Sequence, residues 1–164
     1  MEIRRARTTD VKAIRRLVDA YTNDRRLLSK ATVTLYEAVQ EFWVAVDDTG
    51  TVLGCGALHV MWEDLAEIRT VAVDPDCRGR KIGHKIVSRL LDVARELGVA
   101  RVFCLTFETR FFGSFGFTEI DGAPVPHAVY EQLLRSYDEG VAEFLDLERV
   151  KPNTLGNTRM LLHL

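Results

Sequence analysis

A strand, a basic glycine-containing loop and a long amphipathic helix follow one another between Glu67 and Gly98, and this succession strongly constrains the fold. The alternating run Glu67–Val73 stops at an Asp-Pro pair, and the basic segment Arg78–His84 comes next. The helix after it carries apolar residues on one broad face and ends at Gly98. The first helical turn has backbone N–H groups without intrahelical partners, and the helix dipole is positive there. The junction therefore predicts an anion site.

Length and charge limit the classes of protein to consider. A chain of 164 residues is expected to form one domain spanning residues 1–164. A formal net charge of −2 argues against nonspecific binding to nucleic acid or to an anionic membrane. No apolar run approaches the roughly 20 residues of a membrane helix, and the N-terminus lacks the apolar core of a signal peptide. A cytoplasmic location is expected.

The cysteines favour a reduced protein without metal. Cys55, Cys77 and Cys104 are far apart and odd in number, and Cys55 and Cys104 lie in apolar runs. Buried reduced thiols are the preferred interpretation, with a disulfide or a metal role as the alternative. No cysteine-histidine nucleophile pair and no Gly-x-x-x-x-Gly-Lys-Ser/Thr phosphate loop is present.

The order of the periodic segments predicts the fold class. Strands come first as a meander and then alternate with helices, which indicates an α/β (α+β) domain with a mixed, mostly antiparallel central sheet flanked by helices. A polar, basic loop is expected at residues 23–30. Strands are predicted at 3–6, 42–46, 52–62, 67–73, 100–107, 117–120 and 159–164, and helices at 11–21, 32–39, 82–97, 109–115 and 129–137.

Four features, in order, resemble the GNAT superfamily of N-acetyltransferases. They are the meander ending in Glu67–Val73, the Arg78-to-Gly83 loop, the buried strand 101–107 and the aromatic segment Phe111–Phe117. The loop resembles the superfamily's Arg/Gln-x-x-Gly-x-Gly/Ala signature for acetyl-CoA, and the aromatic segment resembles its F-Y-x-x-x-G-F ending. The resemblance implies a GNAT-like fold, acetyl-CoA as co-substrate and no metal.

Two further segments are similar to the acetyltransferase domain of N-acetylglutamate synthases, most closely the short actinobacterial form. These are residues 34–58 and the C-terminal run Gly156–Leu162. This similarity implies transfer of acetyl to the α-amine of L-glutamate, or of L-glutamine, as the first step towards arginine. A small amino acid is then the expected partner, and a homodimer is expected from the resemblance alone.

The resemblance also implies which residues hold acetyl-CoA. It places the pantetheine arm along Val71, Ala72 and Val73, where a backbone N–H would polarise the thioester carbonyl. It places the pyrophosphate on the loop, largely through backbone N–H groups. Lys81 stands where the family prefers glycine. A solvated basic loop is the alternative interpretation. The loop residues are Arg78, Gly79, Arg80, Lys81, Ile82, Gly83 and His84.

Glu67 is the candidate general base. A free α-amine is mostly ammonium at pH 7 and must lose a proton before it attacks the thioester. Period-two alternation would place Glu67 and Arg69 on one strand face with Val71 and Val73. The family often carries its carboxylate here, and it can act through water. A structural pairing of Glu67 with Arg69 is the alternative.

The family's general acid, a tyrosine in the aromatic helix, is replaced here by Phe112. Phenylalanine cannot donate a proton, so the thiolate would leave unprotonated, or a water or Ser114 would serve. Transfer is expected directly within a ternary complex, because the sequence positions no cysteine to carry the acyl group.

Cations are expected to bind the substrate carboxylates. Lys30 and Arg69 are the candidates, with Arg159 as a third. Asn157 and Thr158 stand where a more basic stretch is expected, which leaves glutamine open beside glutamate. A different amine, such as a polyamine, an antibiotic or a protein N-terminus, and a catalytically silent acyl-CoA-binding module are the competing interpretations.

Overall fold

The computed structural model describes residues 1–22 and 30–164. Most of the predicted loop at 23–30 therefore lies outside the described residues. The chain forms two compact units, one of Met1–His59 with Ile68–Glu96 and one of Val60–Glu67 with Leu97–Leu164. One domain over residues 1–164 stays a prediction.

The described residues form seven strands, seven α-helices and several short 3₁₀ turns. The strands are β1 Glu2–Arg5, β2 Phe42–Val46, β3 Val52–Trp62, β4 Leu65–Val73, β5 Arg101–Thr106, β6 Thr118–Glu119 and β7 Thr158–His163. The helices are α1 Val11–Thr22, α2 Thr32–Glu37, α3 Ile82–Glu96, α4 Thr109–Gly113, α5 His127–Leu133, α6 Glu139–Phe144 and α7 Lys151–Thr154. None of these helices has the length and apolar character to cross a membrane.

The first unit is a meander covered by helices. Its strands follow the order β1-β2-β3-β4, and the pairs β1–β2 and β2–β3 are antiparallel. Helix α1 buries the apolar residues that recur at helical spacing, Val11, Ile14, Leu17 and Val18, in a core with Leu35 and the strands. In a helix this spacing places the four apolar side chains on one face, where they can be buried together, and this favours the helical conformation of the segment.

Helix α3 packs closely on β3 because two glycines leave room for it. A Cβ added at Gly54 would lie 2.9 Å from Cγ2 of Ile82 and from Cδ1 of Ile86. A Cβ added at Gly56 would lie 2.8 Å from Cγ2 of Ile86 and 3.1 Å from Cδ1 of Leu90. The two glycines of β3 thus set the distance between the sheet and the helix that follows the basic loop.

Replacing Gly56 with alanine should lower the free energy of unfolding by about 1–3 kcal/mol, because the added methyl group overpacks the contact with α3. Chemical denaturation measures the change. Gly113→Ala is the matched control, since a Cβ there meets nothing within 4 Å and alanine favours helix. Equal stability of Gly56→Ala and wild type would contradict the close packing.

The second unit is built around β5. Leu65–Glu67 of β4 pair in parallel with β5, β5 pairs antiparallel with β7, and β7 pairs antiparallel with β6. A core forms between these strands and helices α5 and α6, where Phe103 and Phe144 meet edge to face at 5.2 Å. The mixed, mostly antiparallel α/β sheet predicted from the sequence is confirmed.

The region after β6 differs from the prediction. The helix predicted at 129–137 is α5, which begins after Pro126 and ends at Leu133. A separate helix, α6, follows, and the sequence pattern did not predict it. The Asp138 carboxylate accepts a hydrogen bond from the backbone N–H of Val141 at 2.9 Å and so caps α6. This aspartate is the local signal that a second helix begins there.

Asp10 shapes the start of α1. It accepts hydrogen bonds from the Arg4 guanidinium at 2.7 Å and from the backbone N–H of Arg7 at 2.7 Å. The Arg4 hydrogen bond is the main reason that the pKa of Asp10 lies below its usual value. Asp10 thus fixes the turn between β1 and α1 instead of the first turn of the helix.

Candidate functional site

Strand β4 carries an irregularity at Thr70. Thr70 has φ +56°, in the left-handed region that β-branched residues rarely adopt, and the Cys55 thiol donates to its carbonyl at 3.6 Å. The ladder that β4 forms with β5 involves Leu65, Ala66 and Glu67. The positive φ of Thr70 breaks the regular strand alternation between Glu67 and Val71. The expected placement of Glu67 and Val71 on one face of the strand therefore stays a prediction.

From Arg69 to Val73, exposure alternates along β4. Arg69, Val71 and Val73 are partly exposed, whereas Thr70 and Ala72 are buried. Val71 lies on the side of β4 that faces α3, since its Cγ2 would be 3.4 Å from a Cβ at Gly56. Of the three residues expected to hold pantetheine, two therefore have accessible side chains, and Ala72 belongs to the core.

The loop between β4 and α3 has the shape of an anion cradle. Gly79 and Lys81 both have positive φ, +81° and +57°, and a Cβ at Gly79 would meet nothing within 4 Å. The side chains of Arg78, Arg80 and Lys81 are exposed, and Ile82 is buried where α3 begins. The loop thus places three exposed cationic side chains and sterically open backbone beside the N-terminus of α3. This arrangement fits a diphosphate.

Lys81 occupies a position where the family prefers glycine. A non-glycine residue in the left-handed region costs about 1 kcal/mol, and lysine accepts this conformation here. The positive φ needed at this place is therefore present without glycine. The first unit brings Val71–Val73 and Arg78–His84 together as one continuous segment, and His84 lies exposed on the first turn of α3.

Glu67 is a buried carboxylate in the second unit. Its side chain is 3% exposed, and it lies opposite Phe103 in the β4–β5 ladder. Burial, and then the charge of Glu67, raise the pKa of the Cys104 thiol. The role of Glu67 as general base stays a prediction.

Neither buried cysteine can serve as an acyl carrier. Burial raises the pKa of Cys55 to about 12 and also raises that of Cys104, so both stay protonated thiols at neutral pH. All three cysteines are free, as expected for reduced thiols. Cys77 is the partly exposed one, and it accepts a hydrogen bond from Arg80 at 3.5 Å.

The two candidate substrate cations lie far apart in sequence. Lys30 precedes α2 with a partly exposed side chain, and its backbone carbonyl accepts a hydrogen bond from the Arg15 guanidinium on α1. Arg69 is partly exposed on β4. Both side chains can be reached by solvent, as a carboxylate-binding cation must be. Their role in binding an amino acid stays a prediction.

Arg159 is a structural residue, and its candidacy as a substrate cation is not supported by its contacts. Its guanidinium donates to the backbone carbonyls of Glu143 at 2.6 Å, Gly122 at 2.7 Å and Phe144. It also lies over the ring of Phe103, 5.2 Å from the ring centroid. Arg159 therefore ties α6 and the loop before α5 to β7, and burial lowers its pKa.

The aromatic helix offers no proton donor in the expected place. Phe112 is buried and packs edge to face on Phe111 and Phe117. The Ser114 hydroxyl donates to the carbonyl of Phe111 at 2.6 Å, so its proton is committed to the backbone. Two routes for the leaving CoA thiolate then remain: it takes a proton from a water, or it leaves unprotonated. The described residues also contain no group of three His, Cys, Asp or Glu side chains able to hold a metal ion.

Two residues near the cradle were missed from the sequence. Arg16 and Tyr21 of α1 contact Asp74 and the Val73 carbonyl, at the point where β4 passes into the loop. Their positions in the helix predicted at residues 11–21 indicated no role in a site. No local pattern shows which distant backbone group a side chain reaches.

Comparison with known proteins gives close relatives. Residues 11–117 match the model of the acetyltransferase (GNAT) family. An amino-acid acetyltransferase of Mycobacterium tuberculosis is 65% identical over 162 residues, covering 98% of this chain and 92% of the relative.

Solved structures show the same fold. A Mycobacterium tuberculosis protein in complex with CoA and NLQ aligns with a TM-score of 0.97 and 64% identity, covering 100% of this chain and 99% of that one. N-acetylglutamate synthase from Neisseria gonorrhoeae, complexed with coenzyme A and N-acetyl-glutamate, aligns with a TM-score of 0.80 and 23% identity. The alignment covers 99% of this chain and 35% of that one. The family match, the identity and the fold agree, and the chain belongs to the acetyltransferase (GNAT) family.

Proposed function

We propose that this protein transfers the acetyl group of acetyl-CoA to the α-amine of L-glutamate or L-glutamine, the first step of arginine biosynthesis. The observation that carries the proposal is the cradle between β4 and α3, with its exposed cations and its left-handed Gly79 and Lys81. The name of the 65% identical relative, amino-acid acetyltransferase, supports an amino acid as acceptor.

In the proposed mechanism the loop Arg78–His84 holds the pyrophosphate through backbone N–H groups of the first turn of α3 and through its exposed cations. Residues Val71–Val73 orient the pantetheine arm, and a backbone N–H of this stretch polarises the thioester carbonyl. Bound acetyl-CoA supplies the activated acetyl group.

Glu67 takes a proton from the ammonium form of the amino acid, directly or through water, so that the amine can attack. Lys30 and Arg69 hold the substrate carboxylates. The amine attacks the thioester carbonyl directly, the C–S bond breaks, and CoA leaves as a thiolate or, with a proton from water, as a thiol. The pKa values of Cys55 and Cys104 are raised by burial, so neither buried thiol carries the acetyl group. A cytoplasmic location and a homodimer belong to the same proposal.

A thiol-release assay with acetyl-CoA and a panel of amines tests the function. CoA release with glutamate or glutamine, and little with spermidine, an aminoglycoside or a peptide N-terminus, is the expected result. Turnover with polyamines alone would overturn the amino-acid assignment. Acetyl-CoA binding without turnover of any amine would favour a silent acyl-CoA-binding module.

Replacing Lys30 with alanine should raise the KM for the amino acid about tenfold, because a charge-assisted hydrogen bond to a carboxylate is lost. The KM for acetyl-CoA should stay unchanged. Lys12→Ala, which removes an exposed lysine from α1, is the control. Steady-state kinetics with each substrate varied in turn separates the two constants. A selective loss of acetyl-CoA binding would reassign Lys30 to the cofactor.

A further inference from the structure

Helix α1 reaches the point where β4 becomes the basic loop. The Tyr21 hydroxyl donates to the backbone carbonyl of Val73, and the backbone N–H of the next residue, Asp74, donates to the Leu53 carbonyl at 2.8 Å. The carbonyl and the N–H of the Val73–Asp74 peptide are thus both held. This peptide therefore has a fixed orientation at the last residue of β4.

The Asp74 side chain also forms two hydrogen bonds. One carboxylate oxygen accepts from the backbone N–H of Asp76 at 3.0 Å, and the other accepts from the Arg16 guanidinium at 3.0 Å. The Asp74 carbonyl accepts from the backbone N–H of Cys77 at 2.8 Å. Asp74 thereby shapes the 3₁₀ turn Pro75–Cys77, which leads directly into the cradle.

Arg16 also connects this point to β3. Its second terminal nitrogen donates to the backbone carbonyl of Val52 at 3.0 Å, next to the residue that holds the Asp74 N–H. One guanidinium therefore bridges the first residue of β3 and Asp74, the residue that follows β4. Tyr21 packs against the core that contains Val18 and Ala72, so its hydroxyl is presented from a fixed ring.

We propose that Arg16 and Tyr21 are positioning residues for the acetyl-CoA site. They fix the exit of β4, and with it the direction in which Gly79, Lys81 and the first turn of α3 present their N–H groups. Small changes in such geometry weaken ligand binding, because donors must lie within hydrogen-bond distance. The inference rests on the proposed acetyl-CoA site and assigns no chemical step to either residue.

Calorimetric titration with acetyl-CoA tests this role in Tyr21→Phe and Arg16→Ala. Each variant should bind acetyl-CoA about three- to tenfold more weakly, the effect of losing one ordering hydrogen bond in Tyr21→Phe and two partly exposed ones in Arg16→Ala. Arg16→Lys should recover part of the affinity by keeping the ion pair with Asp74. The KM for the amino acid should not move, whereas a purely structural role would leave the acetyl-CoA affinity untouched.

Two control variants are matched to these changes. Tyr137→Phe removes a hydroxyl from a fully exposed tyrosine, and Arg95→Ala removes an arginine as exposed as Arg16, 55%, from a surface ion pair. Both should bind acetyl-CoA as the wild type does. Unchanged affinity in Tyr21→Phe and Arg16→Ala, with a wild type that binds, would overturn the positioning role alone. A wild type that does not bind acetyl-CoA would overturn the proposed function as well.

Discussion

Replacement of Glu67 by glutamine should lower kcat by about 10²- to 10⁴-fold, the usual contribution of a general base. The amide keeps the size and part of the hydrogen bonding of the carboxylate but cannot accept the ammonium proton. The dependence of kcat on pH should therefore change, because the solvent must then accept the ammonium proton in place of Glu67. Steady-state kinetics across pH, with both substrates saturating, measures the effect.

The neighbouring residue Glu63 provides the control. It lies exposed in the turn between β3 and β4, so Glu63→Gln makes the same chemical change without touching a buried carboxylate. Its kcat and pH profile should equal those of the wild type. An unchanged pH–rate profile in Glu67→Gln would remove Glu67 from the role of base. The affinity for acetyl-CoA should be preserved in both variants.

Replacement of Arg159 by methionine should lower the free energy of unfolding by about 3 kcal/mol. Methionine keeps the apolar stem but leaves the carbonyls of Gly122, Glu143 and Phe144 without their charged donor. For a chain of this length the melting temperature should fall by about 6–12 °C. Arg159→Lys should also lose stability, because one ammonium cannot reproduce the planar fork of donors.

Arg149→Met is the comparison for this prediction. Arg149 pairs with Glu139 on the surface, with both side chains more than half exposed, and such pairs contribute little. Its melting temperature should stay within about 2 °C of the wild type. If Arg159→Met were as stable as Arg149→Met but had lost amino-acid binding, Arg159 would be a substrate residue after all.

The parts of the site that lie close together in sequence were predictable. The strand, the cradle and helix α3 follow from local periodicity and helix-start chemistry, and the structure shows them at the expected residues. Lys81 stands where the family prefers glycine, and its φ of +57° shows that this lysine adopts the left-handed conformation open to glycine. Local chemistry determines local structure at such positions.

Contacts between distant segments were not predictable in the same way. Arg159 looked like a substrate cation because a lone arginine near a strand has no visible partner in sequence. Its partners are backbone carbonyls 15 to 37 residues away, and backbone groups carry no sequence signal. The left-handed Thr70 was missed for a related reason. Threonine favours strands, so its residue type gives no sign of the positive φ at this position.

Identification of the product tests the central claim most directly. The protein should be incubated with acetyl-CoA labelled with ¹³C in the acetyl group and with an equal mixture of glutamate, glutamine and spermidine, and the products analysed by mass spectrometry and NMR. The account predicts label on the α-nitrogen of glutamate or glutamine, and none on the protein after incubation with acetyl-CoA alone. Label on spermidine only, or on a cysteine of the protein, would contradict it.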